Sequence, residues 1–490
     1  AGGNGVNTAT SGVNIGATNA LQVARVDSVG DVQLGAAGPI KVVDGVNGRS
    51  VSMQGTGVDV NSWITATGPK GDVSIKANGL GDGDLTQNAD VRSNQGSVNL
   101  TATNIVQKKG VGTFAGDGVN IGATGTLQAA RVYAGGDIQM GTLGDGDLAV
   151  TGEVNGASVA MQGTGVEITA PITATKSDVS IQAFNTKLGD LTQFANITAN
   201  KGSVNLIGGN VIQTSGVNTV AGQDVNIAAA GELRAQRVNA GGDVLLAAVG
   251  DGALTTNSEV RGGSVTMMGS GVNINGNVTA TTGDVQVQAD GTLPGSLKQY
   301  ANVTANKGSV LLTGSNVVQD YGVSTTAGQD VKIGTSGTLQ AGLLSGKTVS
   351  VEGDSVFLLR DVNADGDIVA HATNRVCTPA DAGCKTGTKG VFQLGNITSR
   401  NGGVLLATDP GVSIDPTTGI PTIAYTGMIG QYASSRTRAA TDIALRGVAV
   451  YAGNNTAGKS ITVDAAVAKY QGTLSAPTIN LPTPITVSGQ

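Results

Sequence analysis

The amino-acid sequence predicts an all-β protein, a right-handed parallel β-helix built from short coils that stack on one another. Three observations predict it: a repeat of 106 residues, a shorter repeat of about 21 residues within it, and an unusual composition. Glycine accounts for 77 of the 490 residues, whereas the aromatics are one Trp, seven Tyr and five Phe. A narrow stacked interior takes small aliphatic side chains, so the scarcity of large aromatic residues fits this fold class.

The long repeat is visible as short segments that return at a fixed distance. Val13-Asn14-Ile15-Gly16 returns with small changes at Val119, Val225 and Val331, so each step is 106 residues. Other segments keep the same spacing, and those that begin at Gly96, Gly202 and Gly308 are one such set. A fixed period of this kind indicates a repeat architecture rather than about three independent globular domains, the number that length alone would suggest.

Each copy of the long repeat is itself divided into five similar segments. In the first copy they centre near Val13, Val32, Val51, Val73 and Val98, before the pattern begins again at Val119. Apolar and polar residues alternate within the segments, which places Val and Ile on one side of a strand. Gly-Asp and Asn-Gly pairs separate the segments, as expected for turns. About 21 residues with no helical period fit one three-faced coil.

The fourth copy departs from the pattern in two ways. The segment that resembles the one beginning at Val265 begins at Val349, only 84 residues later instead of 106. The difference of 22 residues corresponds to one missing coil. Asn302 then matches Asn396 at an offset of 94, so ten residues are added between these points. The added stretch is predicted to contain Cys377 to Cys384 and to project from one coil. Inserted loops often carry function, although a local structural staple explains such an insertion equally well.

These offsets predict three regions along the chain. Residues 1–344 form the regular β-helix, residues 345–406 form degenerate coils with the cysteine insert, and residues 407–490 form a C-terminal cap with an extended tail. Three prolines interrupt the strand pattern after Ala407, and a short helix is predicted from Ala433 to Leu445. A cap is expected there because the end of a β-helix exposes unpaired strands and apolar core.

The two cysteines are predicted to form a small disulfide loop. Cys377 and Cys384 have six residues between them, and Pro379 with Gly383 favours a compact turn. A disulfide of this kind indicates an oxidising compartment. Two unpaired thiols are the alternative.

Charge and hydropathy exclude several classes of partner. The net charge is −6, and the 29 Lys and Arg residues form no basic block, which argues against nucleic acid. No apolar run is long enough for a membrane-spanning helix. Because no export signal opens the chain, any such signal is expected to be absent from this sequence or already removed.

The sequence predicts no catalytic, cofactor-binding or metal site, and therefore no enzyme. His371 is the only histidine, which disfavours a histidine-based triad or a multi-histidine zinc site. The Gly-Asp pairs near Asp84 and Asp147 are interpreted as turns rather than calcium loops, because the acidic residues are replaced in later copies. The aspartates of the other Gly-Asp turns belong to the repeat itself, whereas a catalytic site would be expected to interrupt it.

Two sets of surface residues are candidates for ligand contact. Arg25, Arg131 and Arg237 recur once per copy, so they form a predicted row that could bind an anionic glycan or simply face solvent. Three Asn-x-Thr triplets could accept sugar, although starting a strand is the simpler role for their asparagines, Asn196, Asn302 and Asn396.

Several segments resemble the repeats of the filamentous haemagglutinin family. They include Gly241-Gly242-Asp243-Val244, Gly135-Gly136-Asp137-Ile138 and Ala221-Gly222 leading to Val225-Asn226-Ile227. The resemblance covers residues 1–350 well and continues in degenerate form to about 406. It implies a large exoprotein of Gram-negative bacteria, exported by two-partner secretion, whose repeats form a right-handed β-helical shaft. The family's N-terminal Asn-Pro-Asn-Gly motif is missing, so a shaft or C-terminal portion is expected.

The resemblance also implies a function and partners. Family members act as adhesins, biofilm-matrix proteins or stalks, so a secreted or cell-surface fibre that mediates adhesion or aggregation is predicted. The expected partners are host or bacterial surface glycans or proteins, extracellular polysaccharide, an outer-membrane secretion pore and further copies of the chain. Some members end in an anchoring cysteine pair, but here 106 residues follow Cys384. A polysaccharide-active β-helix enzyme and a self-assembling filament subunit are the alternatives.

Overall fold

The predicted fold class is confirmed by a computed structural model, which describes residues 6–78, 83–184, 188–289, 295–373, 389–414, 421–425 and 427–481. Parallel strands stack as a β-solenoid of about 20 turns, with coils of roughly 21 residues. Across these ranges there is no helix, and hence none that could cross a bilayer. The chain divides into two compact units, Ala1–Leu245 and Leu246–Gln490, and each is described by itself.

Each coil contributes one short strand to each of three faces, which we number in their order along the coil. Face 1 carries mostly five-residue strands, whereas faces 2 and 3 carry mostly three or four residues. The strands of these three faces pair in parallel with the strand one coil away, and Val98, for example, lies opposite Val119. Alternate residues point inwards, as in Val51–Gly55, where the first, third and fifth positions are buried.

In the N-terminal unit two long strands cross from face 2 to face 3, namely Leu21–Ser28 and Ile40–Gly48. Face 1 consists of Val13–Ala17, Val32–Ala36, Val51–Gly55, Val73–Ala77, Val98–Ala102, Val119–Ala123, Ile138–Thr142, Val159–Gly163, Val179–Ala183, Val204–Gly208 and Val225–Ala229. Face 2 consists of Val58–Val60, Leu85–Gln87, Ile105–Gln107, Leu127–Ala129, Leu148–Val150, Val166–Ile168, Leu191–Gln193, Val211–Gln213 and Leu233–Ala235. Face 3 consists of Val6–Ala9, Ile64–Ala66, Val91–Ser93, Gly112–Ala115, Arg131–Ala134, Val154–Gly156, Ile172–Ala174, Ile197–Ala199, Asn218–Ala221 and Arg237–Ala240.

The C-terminal unit has the same three faces and one added antiparallel hairpin, Pro410–Ile414 with Pro421–Tyr425. Face 1 consists of Val265–Gly269, Val285–Ala289, Val310–Gly314, Val331–Thr335, Val349–Gly353, Ile368–Ala372, Val404–Thr408, Asp442–Arg446, Ser460–Asp464 and Thr478–Asn480. Face 2 consists of Ala253–Thr256, Gly271–Ile274, Ser296–Gln299, Asn316–Gln319, Thr338–Ala341, Ser355–Leu358, Gly390–Gln393, Met428–Gln431, Ala449–Ala452 and Val467–Tyr470. Face 3 consists of Val260–Gly262, Val278–Ala280, Val303–Ala305, Ser324–Ala327, Leu343–Gly346, Val362–Ala364, Ile397–Ser399, Arg436–Ala439, Asn454–Ala457 and Leu474–Ser475. The boundary between the units falls within the remaining strand, Val244–Ala248.

The interior is filled by small aliphatic side chains, as the composition predicts. The buried hydrophobic residues of the described ranges are Val, Ile, Leu, Met and Ala, with no aromatic among them. Inward positions one coil apart lie opposite each other, so Val119, Ile138 and Val159 form one continuous column. This stacking removes the apolar side of every strand from water, which is the main stabilising contribution in such a fold.

A buried polar network interrupts this apolar interior once per copy. In the first copy the Gln107 side-chain amide donates to Gln87 Oε1 at 2.9 Å and to Thr113 Oγ1 at 2.8 Å. Gln107 Oε1 in turn accepts the backbone N–H of Ala130 at 2.8 Å. Later copies keep both amide bonds in the trios Gln193–Gln213–Thr219, Gln299–Gln319–Thr325 and Gln393–Gln431–Thr437. The amide groups are buried and paired, so each trio favours one alignment of neighbouring coils.

Aspartate and asparagine side chains join the coils at their corners. Asp72, Asp178 and Asp284 each accept the backbone N–H of a serine in the next coil at 2.7 Å. At another corner Asn196, Asn302 and Asn396 accept backbone N–H groups of the next coil, with N···O distances of 2.8 to 3.1 Å. The donors are Asn218, Ser324 and Arg436. The asparagines of the Asn-x-Thr triplets therefore stand immediately before strands and bind the following coil through their side-chain oxygens.

The structure corrects the prediction for the C-terminal region in one respect and extends it in another. The predicted helix from Ala433 to Leu445 is wrong, because this segment contains the strand Arg436–Ala439 and most of Asp442–Arg446. These strands pair in parallel with Ile397–Ser399 and Val404–Thr408, so coils continue beyond Ala407. The helical pattern fails because neighbouring coils pair with the backbone and bury alternate side chains, which overrides weak local propensity. A capping role for these coils stays a prediction.

Two long connections interrupt the fourth copy at the same type of corner, where the chain passes from face 1 to face 2. In the third copy one residue separates Val310–Gly314 from Asn316–Gln319, whereas residues 409–427 occupy the corresponding position after Val404–Thr408. The previous coil carries residues 373–389 at this corner, the stretch that contains both cysteines. Ile368–Ala372 and Val404–Thr408 are paired neighbours, so two successive coils bear the two long connections.

Candidate functional site

The three arginines of the predicted row occupy equivalent positions on face 3 of the N-terminal unit. Arg131 pairs with Gly112 and Arg237 pairs with Asn218, each at the first residue of its strand. Arg25 pairs with Gly45, where the long strand Leu21–Ser28 enters face 3. The three arginines therefore share one register position on face 3, and five coils separate each arginine from the next.

The surroundings of these arginines differ. Arg25 Nε lies 2.7 Å from Asp27 Oδ2, and this hydrogen bond is the main cause that raises the pKa of Arg25. Arg131 donates to the carbonyl oxygen of Gly110 and has a carboxylate oxygen of Asp90 at 4.0 Å. Arg237 is exposed, and no hydrogen bond or ion pair of its side chain occurs within the described ranges. Two of the three guanidinium groups are thus engaged within the protein.

A different arginine heads a stack of side chains on the same face. Arg92, Phe114 and Tyr133 lie opposite one another on three successive coils. The guanidinium carbon of Arg92 is 4.5 Å from the Phe114 ring centroid. The Phe114 and Tyr133 rings are stacked, with centroids 5.6 Å apart and planes inclined by 12°. Contacts of both kinds are favourable, and they hold the side chains in a defined arrangement.

The backbone and neighbouring carboxylates fix this stack in place. A Cβ atom at Gly112 would overlap the Phe114 ring, so glycine is required where the ring crosses the strand. The Gly112 N–H donates to Asp90 Oδ1 at 2.8 Å. The Tyr133 hydroxyl donates to Glu153 Oε2 at 2.6 Å, and this bond, together with burial and the Glu153 charge, raises the pKa of Tyr133. Both carboxylates therefore take part in supporting the aromatic pair.

The stack forms one wall of a surface groove of about 360 Å³. Asn94 and Asn155 add amide groups to the lining, and Gly116 and Gly135 at the corners leave backbone exposed. From the sequence, only Trp63 stands out as an isolated aromatic, and the groove is not predicted. Trp63 also lies against a glycine, Gly45, with the Arg25 guanidinium carbon 6.0 Å from its ring.

A signal for the groove was present in the comparison of copies. Arg92, Phe114 and Tyr133 become Thr198, Val220 and Asn239 when the first copy is shifted by 106 residues. The regular interior does not require these exchanges, because all six side chains point outwards. Outward aromatic residues confined to one copy therefore mark a site that the repeat itself does not need.

The C-terminal unit carries a second, charged cluster beside its two long connections. His371 Nε2 lies 2.7 Å from Asp409 Oδ1, and His371 is opposite Glu352 on the adjacent strand. Arg446 joins His371 and Glu352 in lining a groove of about 360 Å³. No cluster of three or more His, Cys, Asp or Glu suited to a metal ion occurs in the part of the chain that is described.

The predicted disulfide between Cys377 and Cys384 falls outside the described residues. Their segment begins after Ile368–Ala372 and ends before Gly390–Gln393, so its attachment points are known. The face 1 strand that precedes it lies one coil before the strand that precedes the hairpin of Pro410–Ile414 and Pro421–Tyr425. His371 and Asp409 lie at the bases of the two connections.

No protein-family model, curated protein or solved structure matches the chain.

Proposed function

We propose that this β-solenoid is part of a secreted, cell-surface or biofilm-matrix fibre that acts as an adhesin or aggregation factor. The observation that supports it is the contrast between regular stacked coils and one corner where two successive coils carry long connections. Regular stacking supplies a stiff support, because each coil is hydrogen-bonded to its neighbours along three faces. Connections that leave such a scaffold are suited to contacting a partner.

In this proposal residues 373–389 and 409–427 form the adhesive element. Both follow the end of a face 1 strand, at Ala372 and Thr408, and these two residues are paired, so the attachment points lie on adjacent coils. The partners would be surface glycans or proteins of host or bacterial cells, or extracellular polysaccharide. Export through an outer-membrane pore belongs to the same proposal, through the family resemblance of the repeats.

The test is cell attachment and aggregation by variants in which each connection is shortened. Residues 409–427 are replaced by a single serine, which copies Ser315 at the matching corner of the third copy. In a second variant, residues 374–388 are replaced by a short Gly-Asn turn. We expect both variants to keep the β-rich circular dichroism spectrum of the parent and to lose at least half of its attachment.

The matched control shortens a regular corner, residues 184–190, to the two-residue link found at 164–165. This variant should attach as well as the parent, because its two insertions are intact. Attachment unchanged in both insertion variants would contradict the proposed adhesive element. Attachment of the parent that is no greater than that of an unrelated protein would contradict the adhesin proposal as a whole.

The alternative of a polysaccharide-active enzyme can be judged at the groove of the N-terminal unit. There, aromatic side chains do lie on consecutive coils, as that alternative requires. However, Asp90 accepts the Gly112 N–H and Glu153 accepts the Tyr133 hydroxyl, so both carboxylates support the walls. This arrangement favours binding over hydrolysis. Polysaccharide that shortens during incubation with the purified chain would reverse that preference.

A further inference from the structure

The groove on face 3 of the N-terminal unit contains a guanidinium group that is held in place without a carboxylate partner. Arg92 forms no ion pair with any residue of the described ranges, and its side chain is exposed. Its guanidinium rests on Phe114, whose other side packs against Tyr133. A stacked guanidinium still has its N–H groups free at the edge, where they can bind a carboxylate in a bidentate manner.

The arrangement lowers the cost of binding an anion. An isolated surface arginine must give up its side-chain freedom when it binds, whereas Arg92 is already restricted by the ring beneath it. Phe114 is itself positioned by Gly112, and Tyr133 is positioned by Glu153. The whole stack therefore presents the Arg92 guanidinium in a fixed direction along the groove, and the guanidinium carbon of Arg131 lies 5.9 Å from the centroid of the same Phe114 ring.

The remaining walls suit a ligand that is rich in hydroxyl groups. Asn94 and Asn155 offer amide donors and acceptors, and the edges of the two rings offer an apolar C–H surface. A sugar ring has both features, with hydroxyls around its rim and C–H groups on its faces. A polymer with more than one anionic group per sugar fits less well than one with a single carboxylate per sugar, because Asp117 follows Gly116 and Glu153 lies beside Tyr133.

We propose that the Arg92–Phe114–Tyr133 groove binds an acidic polysaccharide of the uronic acid class, with Arg92 pairing with a sugar carboxylate. The ligand would lie across successive coils, with its hydroxyl groups on Asn94 and Asn155. This site is independent of the insertions at residues 373–389 and 409–427, and it goes beyond the adhesive role proposed for them.

The test measures binding of the purified full chain to three polymers by affinity electrophoresis. Polygalacturonate is the uronic acid probe, dextran is the neutral probe, and dextran sulfate is the densely charged probe. We expect polygalacturonate to retard the chain and dextran to leave its mobility unchanged. Retardation by polygalacturonate should exceed that by dextran sulfate at the same mass concentration.

The decisive variant is Arg92→Thr, which introduces the residue found at the same position in the second copy. We expect it to weaken polygalacturonate binding at least tenfold while the circular dichroism spectrum is unchanged. Phe114→Val should weaken binding several-fold, because Arg92 then loses its support. The matched control is Arg261→Thr, which removes an exposed face 3 arginine that begins no aromatic stack, and it should bind within twofold of the parent.

Three results would overturn the proposal. The first is a parent chain that does not bind polygalacturonate, and the second is an Arg92→Thr variant that binds it as well as the parent. The third is an equal loss in Arg92→Thr and Arg261→Thr, which would indicate unspecific charge attraction. Because no cells are involved, these results leave the attachment test of the insertions unaffected.

Discussion

The first two copies of the repeat have the same interior and different exteriors. Gln87, Gln107 and Thr113 inside the first copy return as Gln193, Gln213 and Thr219, with the same amide hydrogen bonds. On the outer side of face 3, Arg92, Phe114 and Tyr133 are replaced by Thr198, Val220 and Asn239. Of the two amide residues that line the groove, Asn94 returns as Asn200, whereas Asn155 is replaced by Arg261.

This difference distinguishes the inward residues, which the stacking of coils requires, from the outward residues, which it allows to vary. Inward residues contact the coils on both sides, so a change there affects three coils at once. Outward residues of face 3 contact only their row neighbours and solvent, so they can acquire a binding role without altering the coil.

The largest effect is expected inside, at Gln213. Replacing it by Leu removes the hydrogen bonds of Gln213 to Gln193 Oε1, Thr219 Oγ1 and the Gln236 N–H. The Gln236 N–H is then left without its partner, while Thr219 Oγ1 still donates to Gln193 Oε1 at 3.3 Å. Buried groups that lose their hydrogen bonds cost about 1–3 kcal/mol each, so we expect Gln213→Leu to lower the free energy of unfolding by about 3 kcal/mol. Urea denaturation followed by circular dichroism measures this loss.

The matched control for Gln213→Leu is Gln139→Leu, at an exposed outward position of face 1. It should change the free energy of unfolding by less than about 0.5 kcal/mol. A loss at Gln213 as small as that at Gln139 would show that the buried amides do not stabilise the coil alignment.

A smaller effect is expected at Gly112, beneath the aromatic stack. A methyl group there would overlap the Phe114 ring, so Gly112→Ala should cost about 1–2 kcal/mol in unfolding free energy. The second copy has Asn218 at this position and Val220 in place of the ring. Phe114→Val should therefore remove most of the cost of Gly112→Ala, which a double-mutant cycle by urea denaturation measures. Additive effects would contradict this direct contact.

Placing the outward face 3 residues of the first copy at the equivalent positions of the second copy tests whether the groove depends on these few residues alone. Thr198→Arg, Val220→Phe and Asn239→Tyr, combined with Asn218→Gly, should build a second stack and raise the stoichiometry of polygalacturonate binding from one site to two. The net change in unfolding free energy should stay below about 1 kcal/mol, because a cation–π contact contributes only about 0.5–1 kcal/mol at exposed sites. Calorimetric titration gives the stoichiometry.

The same substitutions without Asn218→Gly provide the control for this transfer. The introduced Phe would then meet a side chain where Phe114 meets glycine, so we expect one site to remain. A second site in this control would show that the glycine beneath the ring is unnecessary.

The smallest effect is expected for an exposed ion pair that only the first copy has. Arg49 binds Asp31 through Nε at 2.9 Å and Nη2 at 2.5 Å, and these hydrogen bonds hold the pKa of Asp31 well below its usual range. Because the folded-state pKa is lowered, the pair stabilises the fold above about pH 4, the ordinary aspartate value, and this contribution is lost as pH falls towards the folded-state pKa.

Arg49→Ala should raise the pKa of Asp31 towards its ordinary value, since Ser50 Oγ is then its remaining side-chain partner. Carboxyl titration by NMR measures the change, and stability at pH 7 should fall only slightly because the pair is exposed. An unchanged Asp31 pKa in this variant would assign the shift to Ser50 instead.

Much of the fold could be predicted from the sequence because strand alternation and the 106-residue period are local and repeated signals. They placed Val98 and Val119 on neighbouring coils, as the structure has them. The predicted helix from Ala433 to Leu445 failed because the repeat signal there is weak. Residues 409–427 shift the later coils of the fourth copy, so Gln431 and Thr437 no longer lie at the expected spacing.

The candidate site was harder to predict because its members are distant along the chain. Arg92, Phe114 and Tyr133 are separated by 22 and 19 residues, and coil lengths vary over about that range. Their contact depends on pairing register, and a slip of one residue would turn each side chain from the outer side to the interior. The predicted arginine row followed the repeat instead, and two of its three members are engaged by neighbouring groups.

The class of fold, the coil length and the small aliphatic interior follow from the amino-acid sequence alone, because alternation and repetition are properties of neighbouring residues. The three-dimensional arrangement was needed to show which outward residues meet, that the recurring glutamines form buried trios, and that both long connections leave adjacent coils. These outcomes depend on hydrogen-bonded register between coils about 20 residues apart, which composition and local pattern do not specify.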